Sequence, residues 1–235
     1  MVSERVLIIV PAFNEGRVIS RLVKELRTLY PKYDVLVIND GSVDATPREA
    51  QEAGATVVTL PYNLGIGGAV GTGLRIADEE NYDVALQIDG DGQHDPAFLK
   101  DVLNPVLNGR LDLSIGSRFL SRESAFKSTF LRRIGIRFFS GLLGLMTGVR
   151  LSDPTSGFRA VSKTLIPYFA RYYPVDFPEP EAIQMANRFG AKIGEVPVKM
   201  RKRLGGISSI RYFSVLYYMA KVTFAILIDV LKKKK

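Results

Sequence analysis

The most restrictive feature of this chain is an alternation through its first half. VLIIV is followed by a helical pattern from about Arg17 to Leu29, DVLVIND by one near Pro47 to Ala53, TVVTL by one near Gly68 to Glu79, and then comes DVALQID. Strands buried on both faces read as unbroken apolar runs, and strands alternating with helices are joined by crossovers. The pattern therefore predicts an α/β fold with a mainly parallel central sheet flanked by helices. Ligands of such sheets sit beyond the carboxyl ends of the strands. Three of those ends carry polar signals: PAFNE after the first, NDGSVD after the second and DGDGQHD after the fourth.

The third signal places Asp89, Asp91 and Asp95 within seven residues of one another. An EF-hand loop starting at Asp89 would need Gly at its sixth position and Glu at its twelfth, where this chain has His94 and Lys100. Two readings remain for the cluster. It is either a solvated turn or part of an oxygen shell for a divalent cation shared with a phosphate-bearing substrate. The chain has no Cys and a single His, so thiolate and multi-histidine metal sites are excluded. The glycine-rich stretch PYNLGIGGAVGTGLRIA has the spacing G-x-G-G-x-x-G after the third strand, without a convincing acidic ribose ligand some 20 residues on. It is a weak dinucleotide signal.

Beyond DLSIGSRFL the alternation breaks down. Phe130 to Gly148 reads as an amphipathic helix, with Leu131, Ile134, Phe138, Leu142 and Leu145 on one face and Arg133, Arg137 and Ser140 on another. DPTSGFRAVS and AKIGEVPVKM read as later strands or edges, with a helix between them near Glu181 to Phe189. The formal net charge is +8, and the cations cluster from Arg118 to Arg137, from Lys199 to Arg211 and in Lys232 to Lys235. Both internal clusters are interleaved with large apolar residues, which suits a lipid surface at least as well as a nucleic acid. The segment Ile210 to Leu231 is long and apolar, but Lys221 lies near its middle, and a charge there costs roughly 2.5–3.5 kcal/mol at mid-bilayer. A helix lying on the membrane or against a partner is the expectation, with a single spanning helix as the alternative. The N-terminus lacks the basic start and long apolar stretch of a secretory signal.

PAFNE, NDGSVD, NLGIGGAVGTGLRIA, DGDGQ, GSRFL and DPTSGFR occur in an order that resembles the family 2 inverting glycosyltransferases of GT-A fold. The likeness is greatest to the branch that holds dolichol-phosphate mannose synthases and bacterial polyprenyl-phosphate glycosyltransferases. It covers about residues 5 to 210 and implies a catalytic domain over residues 1–206. Residues 207–235 would then form an amphipathic, membrane- or partner-associating helix with a basic tail. By this resemblance Pro11, Ala12, Asn14 and Glu15 of PAFNE and Asp40 of NDGSVD line the nucleoside pocket. Asp89, Asp91 and Gln93, with Gly90 between the carboxylates, match the pattern that holds Mg2+ or Mn2+ and the sugar diphosphate. His94 and Asp95 are left as loop or supporting groups. Arg118, with Arg132 or Arg133, matches the positions that receive a lipid phosphate, for which a guanidinium fork is chemically apt. Arg201, Lys202 and Arg203 of RKRLGGISS resemble a mobile loop that closes over the diphosphate.

The resemblance implies a nucleotide-sugar donor, UDP-linked by expectation, and a polyprenyl phosphate acceptor. It also implies a peripheral position on the cytoplasmic face of the cell membrane, with no nucleic-acid partner. A membrane-protein partner or homo-oligomerisation would supply anchoring that larger members of the branch carry themselves. One departure bears on the acceptor. Where members of the branch carry a Q-I-E-like stretch, this chain has Phe177-Pro178-Glu179-Pro180-Glu181. Glu181 falls on the family glutamate, and Glu179 falls near the base of members that glycosylate hydroxyls. An ionised phosphate needs little help from a base, whereas a hydroxyl of a lipid-linked saccharide does. P-E-P-E is equally a helix start, with proline and acidic residues in its first turn.

Overall fold

A computed structural model gives the structure of residues 4–120, 130–176 and 178–201, with side chains in the helix that begins at Phe130 described from Gly135 onward. Within them the elements run β1 (Val6–Ala12), α1 (Ile19–Leu29), β2 (Asp34–Asn39), α2 (Thr46–Glu52), β3 (Thr56–Thr59), α3 (Gly65–Glu79) and β4 (Val84–Gln87). After a 3-10 turn over Pro96–Phe98 come α4 (Leu99–Leu107), β5 (Leu113–Ser117), α5 (Phe130–Thr147), β6 (Arg159–Ser162), α6 (Ile166–Tyr172), α7 (Pro178–Phe189) and β7 (Ile193–Pro197). The strands form one seven-stranded sheet in the order β3-β2-β1-β4-β6-β5-β7. Every pairing is parallel except those of β6, which runs antiparallel between β4 and β5.

The unbroken apolar runs explain the layering. Every residue of β1 is buried. Its side chains alternate, with Val6, Ile8, Val10 and Ala12 packing toward α1, α2 and α4, and Leu7 and Ile9 toward α3, α5, α6 and α7. Each face thus has its own apolar core. β1 is central because its helix leads left to β2 while β4 joins on its right, so strand order reverses between β1 and β4. That reversal opens a crevice at their carboxyl ends. The reversed direction of β6 brings its start, and the loop that precedes it, to this same end.

The glycines of α3 serve packing. A Cβ on Gly67 would lie 2.1 Å from the Val175 carbonyl oxygen, and one on Gly73 would lie 2.5 Å from Cγ2 of Ile9. These glycines let the helix lie close against β1 on one side and the chain at Pro174 and Val175 on the other, which accounts for a weak dinucleotide signal. In α5 the apolar face differs from the expected one. Ile136, Phe139 and Leu143 are buried, while Phe138 is 40 % and Leu145 is 86 % exposed. The helix carries two apolar stripes, and its contact with α7 selects the one centred on Phe139. No helix among the described residues is long and apolar enough to cross a membrane. Residues 207–235, expected as an amphipathic helix, lie outside the described residues.

Candidate active site

The acidic loop leaves β4 at the crevice and is held on three sides. The Gly90 amide donates to the Pro11 carbonyl (3.2 Å), and a Cβ on Gly90 would stand only 2.8 Å from that oxygen, so glycine lets the loop lie against the end of β1. Gln87 Nε2 donates to Asp89 Oδ1 (3.1 Å), and the Asp89 amide donates to His94 Nδ1 (3.2 Å). His94 is buried and stacked on Phe158 with centroids 5.1 Å apart. A ring nitrogen that accepts from an amide leaves the proton on Nε2, and the ring holds the Asp89 backbone in place. Asp91 Oδ1 accepts from the Gln93 amide (2.9 Å), closing a tight turn with Gly92 at φ +71°. From above, Gly157 meets the carboxylate, since a Cβ there would lie 2.7 Å from Asp89 Oδ1 and 2.9 Å from Gln87 Nε2. The Asp89 side chain nevertheless remains 34 % exposed.

The residues of the first two strand ends gather on the β1 and β2 side of the crevice. Asn14, at φ +55°, accepts from the Val43 amide through Oδ1 (3.0 Å), while its own amide donates to Ser42 Oγ (2.9 Å). The Glu15 amide donates to Thr46 Oγ1 (2.8 Å), and the Glu15 side chain is buried. Asp40 accepts the amides of Leu64 (2.7 Å) and Gly65 (3.0 Å), capping the start of α3. Burial pushes the Asp40 carboxyl up from the ordinary carboxylate range, and the two amides oppose that rise. Asn14 and Asp40 therefore fasten the β1, β2 and β3 loops to one another as well as facing this end of the sheet.

Arg118 follows β5 and is buried. Its guanidinium grips Asp153 through two parallel bonds, Nε to Oδ2 and Nη2 to Oδ1, both 2.5 Å, and Nη2 also reaches Thr155 Oγ1 (3.1 Å). The expected phosphate fork is thus engaged with a carboxylate inside the protein. Asp153 is itself placed by Glu195 of β7, whose Oε1 accepts the Asp153 amide (2.6 Å) and whose Oε2 accepts both the amide (2.6 Å) and the hydroxyl (2.8 Å) of Ser152. Arg159, paired with Gln87 across the β4–β6 ladder, donates to the carbonyls of Ser156 (2.6 Å), Pro154 (2.8 Å) and Glu179 (2.8 Å). It staples the start of α7 to the loop before β6. Desolvation pushes the Glu179 carboxyl up and Asp89 adds to the rise, while Arg159 and Arg118 oppose it. Glu179 thus shares its electrostatic surroundings with Asp89, Arg118 and Arg159.

Sequence reading missed Gln87, Asp153, Arg159 and Glu195. Asp153 and Arg159 bracket the quoted DPTSGFR, and a carboxylate and a cation at the ends of a motif were the available signal. Gln87 and Glu195 announce themselves only as polar residues inside apolar strands. Arg201 does not lie loose over the site. Its Nη1 and Nη2 hold Glu25 of α1 at 2.6 and 2.5 Å, Nη2 also reaches Asp95 (2.7 Å), and its amide donates to the Gln93 carbonyl (2.8 Å). Lys202 and Arg203, and the side chains of Arg132 and Arg133 in α5, lie outside the described residues.

Among the described residues no three His, Cys, Asp or Glu side chains converge as a cation cage. Asp89 and Asp91 are instead two carboxylates at an open crevice. That donor set fits a divalent ion such as Mg2+, which is commonly held by one or two carboxylates together with substrate phosphates.

Residues 7–168 match Glycosyl transferase family 2, and the chain belongs to that family; it is a glycosyltransferase. It is 33% identical over 202 residues to an uncharacterized protein of Methanocaldococcus jannaschii, with 84% of this chain and 82% of that one covered. It is 31% identical over 223 residues to the UDP-N-acetylglucosamine–dolichyl-phosphate N-acetylglucosaminyltransferase of Methanococcus voltae, covering 85% of this chain and 86% of the relative. Among solved structures, glucosyl-3-phosphoglycerate synthase of Mycobacterium tuberculosis in complex with Mn2+, UDP and glucosyl-3-phosphoglycerate shares the fold. The TM-score is 0.73 at 21% identity, over 97% of this chain and 80% of that one. The GT-A-like architecture expected from the motif order is thus the one observed.

Proposed function

We propose that this glycosyltransferase moves a sugar from a UDP-linked donor to a polyprenyl phosphate at the cytoplasmic surface of the membrane. The observation that carries the reading is the placing of Asp89 and Asp91 at the point where strand order reverses. Asp89 is oriented by Gln87, braced by Gly157 and still open to solvent. The dolichyl-phosphate relative supports the acceptor class and the UDP donor. The Mn2+ and UDP of the structural neighbour support the cation.

In this reading Asp89 and Asp91, with Gln93, would hold a divalent ion. When bound, the ion offsets the charge that builds on the departing UDP. Pro11, Ala12 and Gly90 form the backbone wall of the nucleoside pocket, and Asn14, Glu15 and Asp40 hold that wall in place. An oxygen of the acceptor phosphate attacks the anomeric carbon in line, a new C–O bond forms as the bond to the diphosphate breaks, and the configuration inverts. By the motif resemblance Arg132 or Arg133 would receive the acceptor phosphate. Arg118, committed to Asp153, ties the end of β5 to the loop before β6 at the edge of the crevice.

The position of Glu179 favours a second reading, in which it serves as base for a hydroxyl of a lipid-linked saccharide. Burial raises the basicity of its carboxyl, and the charge of Asp89 adds to the rise. One assay separates the two. Purified protein is given radiolabelled UDP-, GDP- and dTDP-sugars, Mn2+ or Mg2+, and short-chain polyprenyl phosphate or its glycosylated form. Label entering the lipid from polyprenyl phosphate, lost in Asp91→Ala and kept in Glu179→Gln, supports the first reading. Transfer only to the glycosylated lipid, abolished by Glu179→Gln, supports the second.

A further inference from the structure

Helix α5 is apolar on two sides, and only the side centred on Phe139 is used inside the protein. On the other side Phe138 and Leu145, two turns apart, face outward, and Leu145 is 86 % exposed. Arg137 borders this side and Arg150 follows the helix. Both are exposed, and neither meets a carboxylate among the described residues. From Ser124 to Ser152 the sequence has no Asp or Glu at all. Large outward apolar groups beside unquenched cations, with no carboxylate among them, suit the boundary between headgroups and acyl chains of an anionic bilayer.

A lipid acceptor has to be met from this same side. Each methylene drawn from a bilayer into water costs roughly fourfold in partition, so a polyprenyl chain stays in the bilayer and the surface around its phosphate must come to the bilayer's edge. By the motif resemblance that phosphate is received at the first turn of α5. Hydrogen bonds tie the middle of the helix to the crevice. Ser140 Oγ donates to the Leu151 carbonyl, the Ser152 and Ser117 hydroxyls lie 2.6 Å apart, and the Phe119 amide donates to Ser117 Oγ (3.3 Å). At the far end of these bonds Phe119 and Leu120 add exposed apolar surface beside Arg118. We infer that the outward side of α5 is a docking surface for an anionic lipid bilayer, with Phe138 and Leu145 at the acyl boundary and Arg137 and Arg150 against the headgroups. Docking there rests on the reading that the acceptor is a polyprenyl phosphate, and it fixes which face of the catalytic domain meets the membrane.

The test is sedimentation of the full chain with phosphatidylcholine vesicles made with and without phosphatidylglycerol, for the native protein, for Leu145→Glu and for the double variant Arg137→Gln, Arg150→Gln. None of the three residues belongs to the catalytic machinery, so transfer to a detergent-dispersed short-chain polyprenyl phosphate should be unchanged. Leu145→Glu should bind the anionic vesicles on the order of 10- to 100-fold more weakly, the contribution of one large apolar side chain. At about fivefold per cation near an anionic surface, the double variant should bind them roughly 30-fold more weakly and lose most of its preference for phosphatidylglycerol. Native protein that binds the vesicles while both variants bind equally well overturns the α5 surface and leaves the acceptor reading standing. Native protein that transfers sugar to the dispersed acceptor yet ignores both kinds of vesicle does the same. No transfer to polyprenyl phosphate, with vesicle binding still lost in the variants, removes the acceptor reading and keeps the surface. A native dimer that Leu145→Glu dissociates, without vesicle binding, overturns the lipid in favour of a second copy of the chain.

Discussion

Gly157 is the residue on which the acidic site presses hardest. A methyl group there would stand inside contact distance of both Asp89 oxygens and of Gln87, neither of which is a loose chain end. Gly157→Ala should therefore turn the Asp89 carboxylate out of place. We expect donor binding to weaken on the order of 10- to 100-fold, the usual cost of disturbing groups that orient a ligand-holding side chain, with the protein still folded. Calorimetric titration of UDP with Mn2+ checks this, and undiminished binding would show that Asp89 does not hold the donor. Removing divalent ions with a chelator should abolish transfer, and adding Mn2+ or Mg2+ should restore it. Glu179 gives a pH prediction for the hydroxyl reading. A carboxyl whose pKa is raised becomes protonated at a higher pH than an ordinary glutamate. Transfer to a hydroxyl should then fall on the acid side while the pH is still above the usual carboxylate range, and a rate profile flat through that range would exclude Glu179 as the base.

At the scale of elements, α3 and its close neighbours set the position of the α6–α7 connection and hence of Glu179. Gly67→Ala would drive a methyl group into two main-chain carbonyls, at 2.1 and 2.2 Å. Overpacking of that kind costs about 3 kcal/mol, which lowers Tm by roughly 6–12 °C in a chain of this size; thermal melts followed by circular dichroism would read it. Tyr82, after α3, supplies a second check. Burial first, and then its hydrogen bond to Asp34 (2.8 Å), push its phenol up to about 12. A phenol with a raised folded pKa contributes stability fully below its ordinary value and loses it as pH climbs toward about 12. Burial also raises Tyr30, Tyr33 and Tyr173, so ultraviolet titration should find several tyrosines ionising late, and Tyr82→Phe should shrink that late absorbance change by one residue's share. What sequence could convey at this scale was local. The apolar runs of β1, β2 and β4 and the polar signals at their ends announced both the strands and the side of the sheet that carries the site. The direction of β6, only four residues long, depends on its pairing with β4 and β5, and no short spacing encodes it. The short helices α4 and α6 were passed over for the same brevity. The face of α5 was misjudged because two apolar stripes share one helix.

The whole molecule adds contacts between distant segments, and these were the least legible. Arg118 meets Asp153 across 35 residues, Glu195 reaches back 42 residues to Asp153, and Arg201 reaches 176 residues to Glu25. Nothing in the chain marks such partners before the sheet has assembled. The Arg201–Glu25 pair is part-exposed, at 31 % and 26 %, so a double-mutant cycle with Arg201→Gln and Glu25→Gln should return a coupling of about 0.2–1 kcal/mol in stability. A coupling below that range would mean that the two side chains do not hold each other in solution. The bonds from Arg201 to the Gln93 carbonyl and to Asp95 have a further result, one of loop closure: the second of them joins positions 106 residues apart along the chain. Closing so long a loop costs only about 0.6 kcal/mol more than closing one of half the length, so the acidic turn is tied to a far later segment at little extra entropic cost.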